Sequence, residues 1–244
     1  MGGGGGAAVI TVLVPRGVTP GRREQVDEGE GHHLRVRRAR VGEVVALRDG
    51  AGLVGTGRLA VSGREWLVDV DTAERHARPP ELRLAVGAGD RERFAWVVEK
   101  AAELGATAVS PLETERTGGV ANRVRETHLT RLRRQALEAT KQCGAAWAID
   151  VEAPASLTEF ATRVHPGHIW LADAGGQPPP PVLNGESVTV VVGPEGGLSA
   201  AERATLLAAG YRPTALGPHT LRFDTAALAA AAAVTAARLR GTHG

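Results

Sequence analysis

The chain has 244 residues, a formal net charge of +2 and a hydrophobic fraction of 43%, which suits one large globular domain or two smaller ones. A single cysteine, Cys143, excludes an internal disulfide framework and any multi-cysteine zinc site. The alanine-rich stretch from Ala226 to Ala237 is too short and too weakly apolar to span a bilayer, and Met1 to Ala8 lacks the basic start of a secretory signal. A cytoplasmic protein with no membrane partner is expected, with the Gly2 to Gly6 run as a flexible leader.

From about Ile10 to Asp71 the sequence reads as all-β, because short apolar runs such as "VITVLV", "EVVALRDG", "GLVGTGRLAV" and "EWLVDV" are separated by glycine turns. That pattern predicts a small barrel. Within it, His32 to Arg48 holds five arginines, at 35, 37, 38, 40 and 48, against Glu43 alone. A second basic cluster spans Arg116 to Arg134. Such clusters are either solvated faces or footprints for a polyanion. His32 and His33 are adjacent, cannot both point one way on a strand, and make no metal site.

Pro79 and Pro80 mark a change of texture, after which strands alternate with helical stretches. Strand "LRLAVGA" leads into a helix from about Arg91 to Leu104, with Phe94, Val97, Val98, Ala101 and Leu104 on one face and Gly105 as its stop. Strand "TAVSPLE", an arginine-rich helix from about Thr127 to Gln142, and strand "AIDVEAP" follow. A short helix then begins near Ser156, with Glu159 completing its cap. Next come "HIWLADAGG", a proline-rich loop from Pro178 to Pro181, strand "SVTVVV", strand "TALG" and a C-terminal alanine helix. Short connections between alternating elements predict a parallel α/β sheet. Cys143 sits at a helix end with no histidine beside it in sequence and reads as a packing residue.

The stretch "VTVVVGPEGGLSAAE" holds the main signal. Ser199 and Glu202 form a capping box that starts a helix near Ala200, so Gly193 to Leu198 is a loop at a strand's carboxyl end, where ligands of parallel sheets sit. A nucleotide-phosphate loop is excluded because no lysine and hydroxyl follow Gly197. A dinucleotide fingerprint fails on glycine spacing, and Glu195 carries the wrong charge for a pyrophosphate. One strand later, "ALGPHTLRFDTAALAA" supplies a second Gly-Pro turn, followed by Arg222 and Asp224. Two such turns on successive strands predict adjacent walls of one pocket.

These two segments together resemble the bacterial 16S ribosomal RNA uridine-N3 methyltransferases, members of the SPOUT class whose C-terminal chain forms a trefoil knot. Upstream, "GHHLRVRRARVGEVVALRDG" is similar to that family's N-terminal RNA-binding barrel, "GDRERFAWVVEKAAELGATAVSPLETERT" to its first Rossmann-like segment, and "RLRRQALEATKQCG" to the next helix. The resemblance covers nearly the whole chain in order. It implies a PUA-like β-barrel domain over 1–77 and a SPOUT-type knotted α/β domain with a parallel sheet over 78–244.

The same resemblance implies S-adenosyl-L-methionine as cofactor, held by Leu171, by Gly193, Glu195, Gly196 and Gly197, and by Leu216, Gly217, His219, Leu221 and Arg222. No metal is implied. Side chains on those loops would occupy the cofactor's space, which is one reason for glycine. Arg222 is the candidate catalytic residue, because a guanidinium stabilises the charge that spreads onto uracil O2 and O4 when N3 loses its proton. Asp224 either orients Arg222 or accepts that proton. The family usually shows threonine and glutamate where this chain has Phe223 and Asp224, which shortens the carboxylate by one methylene.

His33, Arg35, Arg37, Arg38 and Arg40 are the implied RNA contacts, with the arginines alternating on a barrel face and few aromatics beside them. The partners implied are 16S ribosomal RNA or the 30S subunit and a second copy of the chain, the small residues of the alanine helix suiting close approach at a homodimer interface. A non-catalytic RNA-binding protein that keeps the knotted fold is the alternative.

Overall fold

The computed structural model describes residues 10–87, 89–117 and 119–242. It divides into two compact units, Met1–Arg78 with Thr140–Ala148, and Pro79–Ala139 with Ile149–Gly244.

The first unit is a five-stranded mixed sheet ordered β1-β3-β4-β5-β2, made of β1 (Thr11–Leu13), β2 (Arg23–Gln25), β3 (Val44–Arg48), β4 (Leu53–Ser62) and β5 (Glu65–Arg75). Alternating burial along β4 places Leu53 and Leu59 in a core with Val12, Val45, Leu47 and Val68. The unit is not all-β. Between β2 and β3 lies α1 (Glu28–Val36), capped by Asp27, whose side chain accepts the Glu30 amide at 2.9 Å.

This corrects the reading of the first basic cluster. His33 and Arg35 lie on α1, Arg37 is its C-cap, and Arg38 takes a left-handed backbone with φ of 54°. The arginines therefore fan out from a helix end and a turn and do not alternate along a strand. Glu30 of α1 is buried and pairs with Lys141 Nζ at 2.6 Å, so residues 140–148 are part of this unit's packing. Trp147 belongs there too, its indole N–H reaching the carbonyls of His76 and Ala77, both at 3.1 Å. Cys143 is exposed, which overturns the expectation that it packs.

The second unit is an all-parallel sheet of β6 (Leu82–Gly87), β7 (Ala108–Glu113), β8 (Asp150–Val151), β9 (Ala155–Ser156), β10 (His168–Gln177), β11 (Val188–Val192) and β12 (Arg212–Thr214), ordered β12-β10-β11-β6-β7-β8 with β9 also on β7. From β6 (Leu82–Gly87) the chain passes through α2 (Arg91–Glu103) to β7, then through a short 3-10 turn and α3 (Leu129–Cys143) to β8 (Asp150–Val151). Asp90 caps α2, Gly105 follows it with φ of 79°, and Phe94, Val97, Val98 and Ala101 are buried. Ser156 and Glu159 form the capping box of α4 (Leu157–Thr162).

The other half of the sheet is β10 (His168–Gln177), β11 (Val188–Val192) and β12 (Arg212–Thr214), with α5 (Ala200–Ala208) before β12 and α6 (Phe223–Gly241) after it. β11 lies beside β6, so the sheet's order reverses there. Crevices beyond the carboxyl ends at such a reversal are where parallel sheets bind ligands. The last strand is 212–214 and not "TALG": Pro213 is tolerated because β12 is at the sheet's edge. β10 pairs with β12 on both sides of a bulge between Ala172 and Gln177. At Gly176 a Cβ would lie 2.3 Å from Pro213 C, so only glycine admits the neighbouring strand.

The small residues of α6 already have a use inside this unit. Ala226, Ala227, Ala230, Ala231, Val234 and Ala237 are buried in a core with α2 and with Leu82, Leu84, Val188 and Val190. That face is ordinary internal packing. No helix among the described residues is long and apolar enough to cross a membrane.

Candidate active site

Two cavities share a wall beyond the carboxyl ends of β10, β11 and β12. The larger, about 590 Å³, is bordered by Leu171, by Gly193, Glu195, Gly196 and Gly197, and by Leu221 and Arg222. The smaller, about 300 Å³, is bordered by Leu216, Gly217, His219 and Leu221. Ala172, Asp173, Thr220 and Leu221 border both. The structure thus brings together every residue expected to hold a cofactor.

The loop after β11 is built by its neighbours. Gly197 has φ of 74° and its amide bonds the Pro194 carbonyl at 2.8 Å, closing a turn. A Cβ on Gly193 would lie 3.2 Å from Leu198 Cγ, and one on Gly196 would lie 3.1 Å from Arg116 Cδ. Gly87, at the end of β6, clears the way for Pro194, whose Cδ would be 2.8 Å from a Cβ there. These glycines answer to the chain itself as well as to any ligand. Ser199 and Glu202 form the expected capping box. Glu202 Oε1 also accepts the Glu115 amide at 2.8 Å, and Arg116 donates to the Gly196 carbonyl.

Gly217 is different. Its φ is not in the left-handed region, and a Cβ would make only ordinary contact, 3.5 Å, with Leu221. Among the described residues nothing asks for glycine at 217, which borders the smaller cavity.

Arg222 is the N-cap of α6, makes no side-chain cap, and has 61% of its side chain exposed at the rim. Asp224, two residues on, borders neither cavity and is 14% exposed. Its Oδ1 accepts the Thr225 amide at 2.8 Å, and its Oδ2 accepts from Arg93 Nη1 at 3.2 Å. Arg222 Nε stands 3.9 Å from Oδ1. With both oxygens engaged by donors, the carboxylate is better placed to hold an arginine than to accept a proton. Phe223 is almost fully buried and joins the core beneath the larger cavity.

Sequence reasoning missed four residues of this site. Arg93 and Arg116 come from distant segments, and nothing local links them to the glycine turns. Asp173 and Arg203 form the wall common to β10 and α5, with Arg203 donating to Asp173 Oδ2 at 3.1 and 2.8 Å. Hydrogen bonds from Arg203 and from the Gly175 amide hold the Asp173 carboxyl below the usual range. The bulge in β10 was the available signal, since "DAGG" breaks a strand pattern.

In the first unit a cavity of about 690 Å³ is bordered by Arg35, Arg64 and Trp66 with Asp27, Glu28 and Glu65. A Cβ on Gly31 would lie 3.4 Å from the Trp66 ring and 3.8 Å from Arg35 Nη1. One aromatic, Trp66, thus stands near Arg35. His33, Arg37, Arg38 and Arg40 do not border this cavity.

Residues 76–235 match the RNA methyltransferase domain family, and residues 26–66 match the RNA methyltransferase PUA domain family. The chain belongs to the RNA methyltransferase family. It is an α/β protein with a parallel sheet and a PUA-family domain at its N-terminal side. Among similar proteins, the ribosomal RNA small subunit methyltransferase E of Synechocystis sp. is 29% identical over 216 residues, covering 84% of this chain and 70% of the relative. The protein of the same name from Aquifex aeolicus is 28% identical over 208 residues, covering 82% and 88%. A protein from Legionella pneumophila, solved in complex with the bound cofactor SAM, superposes with a TM-score of 0.82 at 24% identity over 95% of this chain and 99% of that one, a likeness of fold. A probable rRNA-methyltransferase from Porphyromonas gingivalis gives 0.75 at 26% identity over 91% and 95%.

Proposed function

We propose that this RNA methyltransferase transfers the methyl group of S-adenosylmethionine to N3 of a uridine in 16S ribosomal RNA. The observation that carries the reading is the convergence of two glycine-proline turns on adjoining cavities, with an exposed arginine at their rim. The combined space is in the range of small-molecule sites. Gly217, glycine without an internal reason, fits a wall kept bare for a ligand. Leu171, Leu216 and Leu221 offer apolar contact, and Glu195 offers a carboxylate suited to a positively charged ligand.

When bound, S-adenosylmethionine supplies an electrophilic methyl carbon whose bond to sulfur breaks with the electron pair remaining on sulfur. The chain's task is to align uridine N3 with that carbon, and alignment of two bound reactants is worth up to roughly 7–11 kcal/mol. N3 gives its proton to solvent at the open rim. Arg222 stabilises the charge on O2 and O4 while the N3 pair forms the new N–C bond.

Residues 1–77 serve as the RNA-binding domain and 78–244 as the catalytic one. His33, Arg35, Arg37, Arg38 and Arg40 take phosphates, and Trp66 gives a stacking surface next to Arg35. Replacing Arg35, Arg37 and Arg38 by glutamate should weaken ribosomal RNA affinity and flatten its salt dependence, each lost phosphate contact removing about 0.7 from the slope for single strands. The enzyme acts in the cytoplasm as a homodimer on 16S ribosomal RNA or the 30S subunit. A monomer by sedimentation at working concentration would refute the dimer.

Calorimetric titration with S-adenosylmethionine tests the reading. Saturable binding by wild type that is lost in Gly217→Val supports it. Folded wild type that binds ribosomal RNA and gives no heat with the cofactor would mark a non-catalytic RNA-binding protein.

A further inference from the structure

Asp224 stands between two arginines, and they are not equivalent. Arg93 Nη1 hydrogen-bonds its Oδ2 at 3.2 Å, whereas Arg222 Nε is 3.9 Å from Oδ1, beyond a hydrogen bond. Arg93 is itself held from behind. It lies in the first turn of α2, and the cap residue of that helix, Asp90, accepts the Arg93 amide at 3.2 Å and has Oδ2 3.7 Å from its Nε. Charges thus alternate from Asp90 to Arg93 to Asp224 to Arg222, leading from the start of α2 to the start of α6. Those two helices pack together in one core.

The consequence follows from sharing one negative charge. The nearer, hydrogen-bonded guanidinium takes most of the carboxylate's field, so Arg222 keeps its charge and its N–H donors for another acceptor. Without Arg93, Asp224 would have Arg222 as its nearest cation. The pair would close, spending the donors that the methyl acceptor needs.

We propose that Arg93 is a positioning residue for methyl transfer: it holds Asp224 so that Arg222 remains free to stabilise the uracil anion. This rests on the function proposed above, in which Arg222 meets the acceptor base. Arg93 touches neither ligand in this account and acts only through Asp224.

A double-mutant cycle of Arg93→Gln and Asp224→Asn separates this from a structural role. Arg93→Gln should lower kcat about tenfold, within the range of couplings inside one ion-pair network, with S-adenosylmethionine affinity by calorimetry unchanged. In the Asp224→Asn background the same change should do nothing further, because there is no carboxylate left to capture Arg222. The ionisation limb of the rate against pH should move to higher pH in Arg93→Gln, since a quenched Arg222 stabilises the uridine anion less. Arg93→Lys, which keeps the charge, should recover part of the loss and guards against misfolding as the cause. Additive losses in the double variant, or wild-type kcat in Arg93→Gln, would overturn the proposal. A wild-type protein that binds RNA and cofactor yet transfers no methyl would instead remove the functional reading beneath it.

Discussion

The two turns that wall the site are held in different ways. The segment from Gly193 to Leu198 is tied by a left-handed Gly197, a capping box, the Glu202 bond to the Glu115 amide and the Arg116 bond to Gly196. The segment from Ala215 to Leu221 has one backbone tie at its start, from the Ala215 amide to the Gln177 carbonyl at 2.9 Å. Among the described residues no side-chain hydrogen bond reaches it, and Pro218, His219 and Thr220 are exposed. One wall is scaffold whether or not a ligand is present. The other has few ties of its own, as is common for ligand loops.

The largest effect tests what the looser wall presents at its end. Arg222→Ala should lower kcat about 10²- to 10³-fold, as loss of one group stabilising transition-state charge does, with cofactor affinity by calorimetry nearly unchanged. Equal loss of affinity would assign Arg222 to holding the cofactor. Next come the two glycines. Gly197→Val forces a β-branched residue to a left-handed φ and should cost about 1–3 kcal/mol in denaturant unfolding. Gly217→Val should leave unfolding near wild type while abolishing cofactor heat. If both unfold alike, the walls are not different in kind.

Glu202→Ala strips acceptors from the Ser199 and Glu115 amides and should destabilise by about 1–3 kcal/mol. Hydrogen exchange at Gly196 and Gly197 should quicken, with no change from Gly217 to Leu221. The smallest effect concerns Asp173. Its folded carboxyl titrates below the unfolded one, so its stabilisation is fully present at neutral pH and is lost as pH falls through the folded value, below about 4. Arg203 is 46% exposed, so the screened pair is worth less than about 1 kcal/mol. Asp173→Asn should flatten that acid limb of stability and leave pH 7 almost unaffected.

The sequence carried the second unit well because its signals are local. Capping boxes at Ser156 and Ser199, the periodic face of α2 and the stop at Gly105 all lie within a few residues of what they specify. The first unit misled. α1 has Gly29 in its first turn and Gly31 in its interior, the latter costing about 1 kcal/mol, and Leu34 alone among its residues joins the hydrophobic core. What holds it is the buried pair of Glu30 with Lys141, 111 residues away, and the Asp27 cap was the one local hint. The link from Arg93 to Asp224 spans 131 residues and is illegible for the same reason. Turn chemistry announces where a pocket is, while ion pairs that tune it wait for the fold.

The most direct test is to incubate the protein with isotopically methyl-labelled S-adenosylmethionine and 16S ribosomal RNA or 30S subunits, then map the label by mass spectrometry. The account predicts one labelled nucleoside, 3-methyluridine, at a single position, and its absence with Arg222→Ala. Label on another base or ring atom, or none from a protein that binds both partners, would contradict it.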